Sequence, residues 1–317
     1  MKNIKKINKK IKIFNFRNIV LISLLILGFV YIQIFLSPSS FPVDKSFIVK
    51  KGDLESDIYN RLAAEKFIRS AYFARVFSKL FQDNNIQIGE YNFGQKLSLW
   101  QMLISLRIKP KAISITVPEG YTKSQIAQRI VDNGRIKNFS QTEFLLRAKE
   151  GYLFPETYYF YSFTDTSQVL EDMQNEWTDQ MVKTFGRLPT ESEVIIASIL
   201  EREARNFNDM KLISGIIQNR LRVGMNLQID ATVLYGAGIW KDKTTLKDLE
   251  YLSAYNTYKN KGLPQGPISN PGLNSMRAAI NPAKTNYMFY LTGRDGQMYY
   301  AVTGAQHLAN KRNYINQ

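Results

Sequence analysis

The chain has 317 residues, 44% of them hydrophobic and 22% charged, which is room for two domains. It holds no cysteine and one histidine, His307, which excludes a disulfide framework, a thiolate nucleophile and a His-rich zinc site. Of the net charge of +15, seven units come from Lys2, Lys5, Lys6, Lys9, Lys10, Lys12 and Arg17; the other cations are scattered, which argues against nucleic-acid binding.

Residues 1–18 form a basic tail, and residues 19–36, IVLISLLILGFVYIQIFL, carry no charge over about the minimum length of a membrane span. The stretch is longer than a signal-peptide core, and the following SPSSFP holds no A-x-A cleavage site. An uncleaved single-pass anchor in the cell (inner) membrane is expected, its basic N-terminus cytoplasmic and everything after Ser37 extracytoplasmic. A Pro/Ser linker covers 37–45. A small domain, 46–110, reads as a strand and turn over 46–53, helices 54–64 and 71–81, strand 86–93 and helix 98–106, the last opened by Ser98 and Gln101 in capping-box spacing.

The rest of the chain, 111–317, reads as a second α+β domain. Residues 113–120 alternate as a strand, and short helices open at Thr122 with Gln125 and at Ser140 with Glu143. The run GYLFPETYYFYSF, 151–163, is either packed core, the commoner use of such side chains, or a surface on which sugars stack.

A helix is expected from Thr190 and Glu193, whose spacing is that of a capping box. It is apolar on most sides (Val194, Ile195, Ile196, Ala197, Ile199, Leu200) and so belongs in a core. At 100° per residue Glu201 falls beside Ala197, Ser198 and Ala204, small side chains that leave a hollow, whereas Glu203 falls among Ile196, Ile199 and Leu200. Glu201 is therefore the better functional acid. Its plain alternative is a structural ion pair with Arg205 or Arg220.

In LQIDATVLYG, 227–236, Gln228 and Asp230 precede a short apolar run, a pattern expected of a loop feeding a cleft. The stretch 253–272, SAYNTYKNKGLPQGPISNPG, is dense in proline and glycine but anchored by Tyr255 and Tyr258; it reads as an ordered irregular loop whose backbone can approach a sugar closely. Residues 288–291 and 298–302 read as strands around Arg294-Asp295-Gly296, and a helix carrying His307 closes the chain. A Ser-His-Asp triad would have to use His307, and no G-x-S-x-G elbow accompanies it.

In order along the chain, YLFPETY, ASILEREA, NRLRVGMNLQIDATVLYG and SAYNTYKNKGLPQGPISNPG, together with the N-terminal anchor, resemble the motifs of the endolytic murein transglycosylase family, the YceG-like proteins. The resemblance spans nearly the whole chain. It implies a LysM-like α/β module at 46–110, with a plain spacer as the alternative, followed by a catalytic domain built on a central buried helix. Glu201 aligns with the family's catalytic acid/base. Gln228, Asp230, Tyr235, Tyr255, Asn256, Tyr258 and Asn270 fall in the motifs expected to bind substrate. Glu156, in the LFPETY motif, either lines the cleft or braces its loop. No metal or other cofactor is implied.

The implied reaction cuts the MurNAc–GlcNAc bond of nascent peptidoglycan strands near the membrane and leaves 1,6-anhydroMurNAc ends, with peptidoglycan synthases as possible partners. Two rivals stay open: a muramidase-type hydrolase with Asp230 as second carboxylate, and a non-catalytic glycan-binding scaffold. The chain departs from the family pattern at Ala231 and Ala254, where proline is usual, and near Met298 and at Gln306, where histidine and glutamate are usual.

Overall fold

The computed structural model describes residues 2–80, 85–239, 241 and 244–315, with side chains from residue 16 onward. Phe81, where a helix was expected to end, and Gln317, the last residue of the expected second domain, lie outside these. The chain divides into two compact units, Met1–Ala112 and Ile113–Gln317.

The first unit opens with α1 (Lys2–Phe35), a single helix that contains the expected span and continues on its N-terminal side. Its segment Phe16–Phe35 is long and apolar enough to cross a membrane and only 6% buried, so it is not the core helix of a globular domain. Next come β1 (Ser46–Val49), α2 (Glu55–Ala64), α3 (Ala71–Ser78), β2 (Gly89–Asn92) and α4 (Leu99–Ser105). The two strands pair antiparallel with Phe47 opposite Tyr91. Both side chains are buried, in one core with Tyr59, Leu62, Met102 and Leu103. The rings of Phe41, Phe47 and Phe93 meet Phe67 edge-on at 5.4–5.6 Å. Ser98 and Gln101 form the expected reciprocal cap on α4.

The second unit begins with β3 (Ile113–Thr116), α5 (Lys123–Asn133), α6 (Gln141–Arg147), β4 (Thr157–Phe160) and α7 (Thr166–Phe185). β3 pairs antiparallel with β4, and Ile115, Ile126, Phe144, Leu153, Phe160 and Met173 form a core of their own. The strand expected to reach Gly120 stops at Thr116. Beyond it Val117 N–H still bonds Glu156 O at 2.9 Å, and the chain then turns at Pro118-Glu119-Gly120. Ser140 caps α6, but only half of the expected box forms, because the Glu143 carboxylate is taken by Arg147 one turn on. α7 is twenty residues long, and the Asp165 side chain accepts Gln168 N–H at its start.

A second core of the same unit is built on α8 (Glu191–Glu203), α9 (Phe207–Arg222), α10 (Asp230–Gly236), α11 (Leu246–Leu249), α12 (Leu273–Ile280), the hairpin β5 (Phe289–Thr292) and β6 (Met298–Ala301), and α13 (Gly304–Tyr314). Thr190 and Glu193 close the expected capping box on α8, and Arg187 grips Glu193 with two hydrogen bonds of 2.8 and 2.7 Å. Every residue from Val194 to Leu200 is buried, so α8 is the hub of this core. The part of 227–236 expected as loop is helical from Asp230. Loop backbone covers only its entry, where Gln228 takes a positive φ of 51°.

Segment 283–288 lies along α9, held by Asn219 Nδ2 donating to Thr285 O (2.8 Å) and Tyr287 O (2.9 Å) and by Arg220 Nε donating to Met288 O (2.7 Å). Gly215 makes that approach possible: a methyl group on it would come within 2.2 Å of the Ala283 carbonyl oxygen. Gly215→Ala must therefore push two backbones apart. It is expected to destabilise the unit by about 1–3 kcal/mol, read as a lowered midpoint in thermal or urea unfolding.

Candidate active site

Glu201 sits in the last turn of α8, and its residue stays partly open to solvent while the seven residues before Glu201 are buried. Its Oε2 accepts Gly272 N–H at 3.0 Å and the Ser275 hydroxyl at 2.6 Å. Both donors belong to the start of α12, whose N-cap is Gly272. A helix N-terminus favours an anion at this place. No ion pair to Glu201 occurs among the described residues. Arg220, one of the two expected partners, is buried and spends its guanidinium on the Leu227 and Met288 carbonyls. The carboxyl group is held by neutral donors alone.

The small face of α8 meets the Pro/Gly loop. Ser198 Oγ accepts Ile268 N–H at 3.0 Å, and the Ser198 carbonyl accepts the Ser269 hydroxyl at 3.0 Å. On the other side the turn after β3 closes over Glu201. Gly120 has φ +78°, and a methyl group on it would lie 3.3 Å from Glu201 Cγ. The preceding residue, Glu119, brings a second carboxyl group: its Oε1 stands 1.8 Å from where a side chain of Gly272 would begin. Two carboxylates thus flank one glycine, and that glycine's N–H goes to Glu201. Glu119 is exposed as a whole residue, yet its carboxyl is crowded. Desolvation, with a contribution from the Glu201 charge, raises its pKa above the usual carboxylate range.

Asn270 fixes this arrangement. Its amide nitrogen donates to Tyr121 O (3.0 Å) and to Glu150 Oε1 (2.7 Å), and its side-chain oxygen accepts Leu153 N–H (2.9 Å). Its backbone exchanges bonds with Tyr121 O (2.8 Å) and Gly120 N–H (2.9 Å). Glu150, itself buried, also accepts Lys123 N–H at 2.9 Å and the Tyr235 hydroxyl at 3.0 Å.

Comparison with known proteins bears on this geometry. The YceG-like family profile matches residues 47–313. The chain belongs to the YceG-like family. A Bacillus subtilis protein named endolytic murein transglycosylase is 32% identical over 305 residues, 84% of each chain. A Streptococcus pneumoniae protein of the same name is 25% identical across 96% of this chain and 66% of its own length. A YceG-like protein of Listeria monocytogenes, known from a 2.6 Å crystal structure, superposes with a TM-score of 0.54 at 32% identity, covering 84% of this chain and 98% of that one.

In this YceG-like chain the other expected site residues fall into groups. Tyr235 and Tyr255 pack edge to face at 4.9 Å beside Glu150. Asp230 accepts the Tyr258 hydroxyl at 2.6 Å. Buried Asn256 gives both amide hydrogens to Leu249 O and Tyr251 O and accepts Tyr258 N–H, so its side chain shapes the loop from within. Gln228 and Glu156 are exposed, and Glu156 accepts the N–H of Thr157. Glu203 takes the Tyr290 hydroxyl at 2.9 Å. Burial and nearby Asp230 raise it to about 6, while Tyr290 opposes the shift.

Glu119 and Glu150 are the acids that the sequence did not single out. An acid next to glycine has no periodicity to mark it, and the alternation of 113–120 read Glu119 as part of a strand that in fact ends at Thr116.

Burial lifts Glu150 to about 7 from its ordinary 4.5. Between those values the folded chain keeps a proton that the unfolded chain has released. The stability that Glu150 contributes should accordingly be full below about 4.5 and be lost as pH rises through 7. Urea unfolding across that window is expected to show the decline, and Glu150→Gln to flatten it.

Proposed function

We propose that this chain is a membrane-anchored peptidoglycan lytic transglycosylase that cuts glycan strands internally, with Glu201 as its acid and base. The observation that carries the reading is a partly exposed carboxyl group at the end of a buried helix, held by two neutral donors, in a member of the YceG-like family. Cleavage needs a proton on a poor leaving group. Glu201 gives its proton to the oxygen leaving from the MurNAc carbon and becomes a carboxylate. It then takes the proton from the 6-hydroxyl of the same sugar as that oxygen closes on the vacated carbon. The bond to the leaving sugar breaks, a 1,6-anhydro ring forms, no water is consumed, and Glu201 ends protonated. Ring closure within one sugar provides the effective concentration that a bound water would otherwise have to supply.

Gln228, Asp230, Tyr235, Tyr255 and Tyr258 are proposed to bind the strand, with Glu156 at its edge. Asn256 and Asn270 act in the same site by holding its loops. α1 serves as a single-pass anchor with a cytoplasmic N-terminus, and the remainder is extracytoplasmic. The unit after it, strand–helix–helix–strand, serves as a LysM-like glycan-binding module. Cutting close to the membrane would end strand elongation beside the synthases that make the strands.

One observation favours a second reading, a muramidase-type hydrolase: Glu119 supplies a carboxylate beside Glu201, and hydrolytic mechanisms use such pairs. Mass spectrometry of products from uncrosslinked strands separates the two, because a hydrolase leaves water-added reducing ends. The full chain is expected to give 1,6-anhydro ends, and Glu201→Gln to lower their formation by about 10²–10⁴-fold. If Glu201→Gln keeps the parent rate, Glu201 is not the acid.

Gly272→Ala tests the role of the paired carboxylates without disturbing the fold. With φ −82° and ψ −179° its backbone suits any residue, but the new methyl group evicts the Glu119 carboxyl. The transglycosylase mechanism asks nothing of Glu119, so turnover is expected to stay within a few-fold of the parent with the unfolding midpoint unchanged; a loss on the order of 10²-fold would favour the hydrolase.

A further inference from the structure

The first unit carries an apolar surface that its own core does not use. Tyr72, Val76 and Leu80 follow one another at four-residue steps along α3 and the turn after it. Trp100, Ile104 and Ile108 do the same along α4 and the turn after it. All six are exposed, Tyr72 and Leu80 by about two thirds of their surface. Four-residue steps put each trio on one face of its helix. Two such faces on neighbouring helices are more than the scattered single apolar residues normal for a soluble surface.

The same two helices meet α1 inside its apolar segment. Phe29 and Phe73 of α3 pack edge to face with ring centroids 6.0 Å apart, and α1 contacts α4 as well. On α1, Ile34 is buried, and Val30 and Gln33 are partly covered. Phe29 is six residues before the end of the apolar segment at Phe35, about 9 Å along the helix axis. The segment Phe16–Phe35 has twenty residues, about 30 Å of helix, equal to the hydrocarbon thickness of a bilayer. It has no length to spare. If it crosses, Phe35 is at the edge of the hydrocarbon and Phe29 about 9 Å below that edge, and what packs on Phe29 reaches the same depth.

We infer that the face formed by α3 and α4 is seated in the headgroup–acyl boundary of the leaflet from which α1 emerges, so that the first unit lies on the bilayer instead of hanging from it. The occupant of the surface is lipid. A depth of about 9 Å matches the roughly 5–10 Å to which interfacial helices bury their apolar faces. Tyr72 and Trp100 are of the residue types that settle at this level. Exposed Arg75 and Lys79 on and after α3, and Lys109 and Lys111 after α4, provide cations for anionic headgroups. This inference rests on the anchoring of α1 proposed above and adds the posture of the unit that follows.

The chain has no cysteine, so single substitutions take a spin label cleanly. Val76→Cys, Leu80→Cys and Ile104→Cys would be labelled in the full-length chain, reconstituted in nanodiscs of phosphatidylglycerol and phosphatidylcholine. Asn92→Cys serves as the control, since Asn92 is exposed on β2 beside buried Tyr91 and Phe93. Collision with oxygen against a water-soluble nickel chelate reads depth. The expected result is an oxygen-to-nickel ratio several-fold higher at 76, 80 and 104 than at 92. Ratios equal to the control overturn the inference. So does shielding of all three labels from both quenchers, which would mean a protein partner. Carbonate-resistant flotation of the same chain with vesicles tests the anchor separately: if flotation holds while the labels report water, only the posture of the unit is wrong, and if flotation fails, the anchor and the inference fall together.

Discussion

The site depends on what a single buried amide does. Asn270 joins the turn after β3, the Glu150–Leu153 turn and the Pro/Gly loop, and each of its hydrogen-bonding groups is used in doing so. The turn and Leu153 belong to one core of the second unit, whereas the loop rests on Ser198 of the other. Apolar packing alone would leave two bodies free to slide past each other, because burial has no direction. Hydrogen bonds of fixed length and angle remove that freedom. Glu119 comes from the first side and Glu201 from the second, so their meeting at Gly272 is a consequence of this stitching.

Charge is managed differently at each acid of the unit. Glu193 is paired with an arginine and lies well below the usual carboxylate range, at about 2, as a helix cap should. Glu150 is buried and Glu203 half-buried, each against a tyrosine hydroxyl and a backbone amide, and both move upward. Glu201 has hydroxyl and amide donors, a second acid nearby and partial access to solvent. One chemical group thus performs structural and chemical tasks according to what surrounds it.

Much of this was readable before any coordinates. Capping at Ser98, Thr122 and Thr190 depends on residues three apart, and all three boxes form as spaced. The burial of α8 follows from an apolar run that no exposed helix would carry, and the small face around Ser198 is where the loop docks. What was missed lacks a local signature. The helix starting at Asp230 has no side-chain cap on its preceding residue, Ile229, and its seven residues include a Thr-Val pair suited to a strand. Asn256 and Asn270 were read from a motif as residues facing a ligand. Both are buried: the Asn256 side chain is occupied by backbone groups within seven residues of it, and Asn270 by partners as distant as position 121, which no spacing rule conveys. Glu119 owes its place to a glycine far along the chain, Gly272, whose side-chain space its carboxyl fills.

The Ser275 hydroxyl is within reach of two acceptors, Glu201 Oε2 at 2.6 Å and the Gly272 carbonyl at 3.0 Å. A rotation about one bond takes its hydrogen from the first to the second. When Glu201 is ionised the hydroxyl can point at it; when Glu201 carries a proton the hydroxyl can swing to the carbonyl and receive that proton's hydrogen bond on its oxygen. An arginine or lysine in the same place has hydrogens to give and no lone pair to offer, so it would favour only the ionised form. In the proposed cycle, where the acid empties and refills, a serine serves both halves, as a rotor whose two rest positions are both hydrogen-bonded.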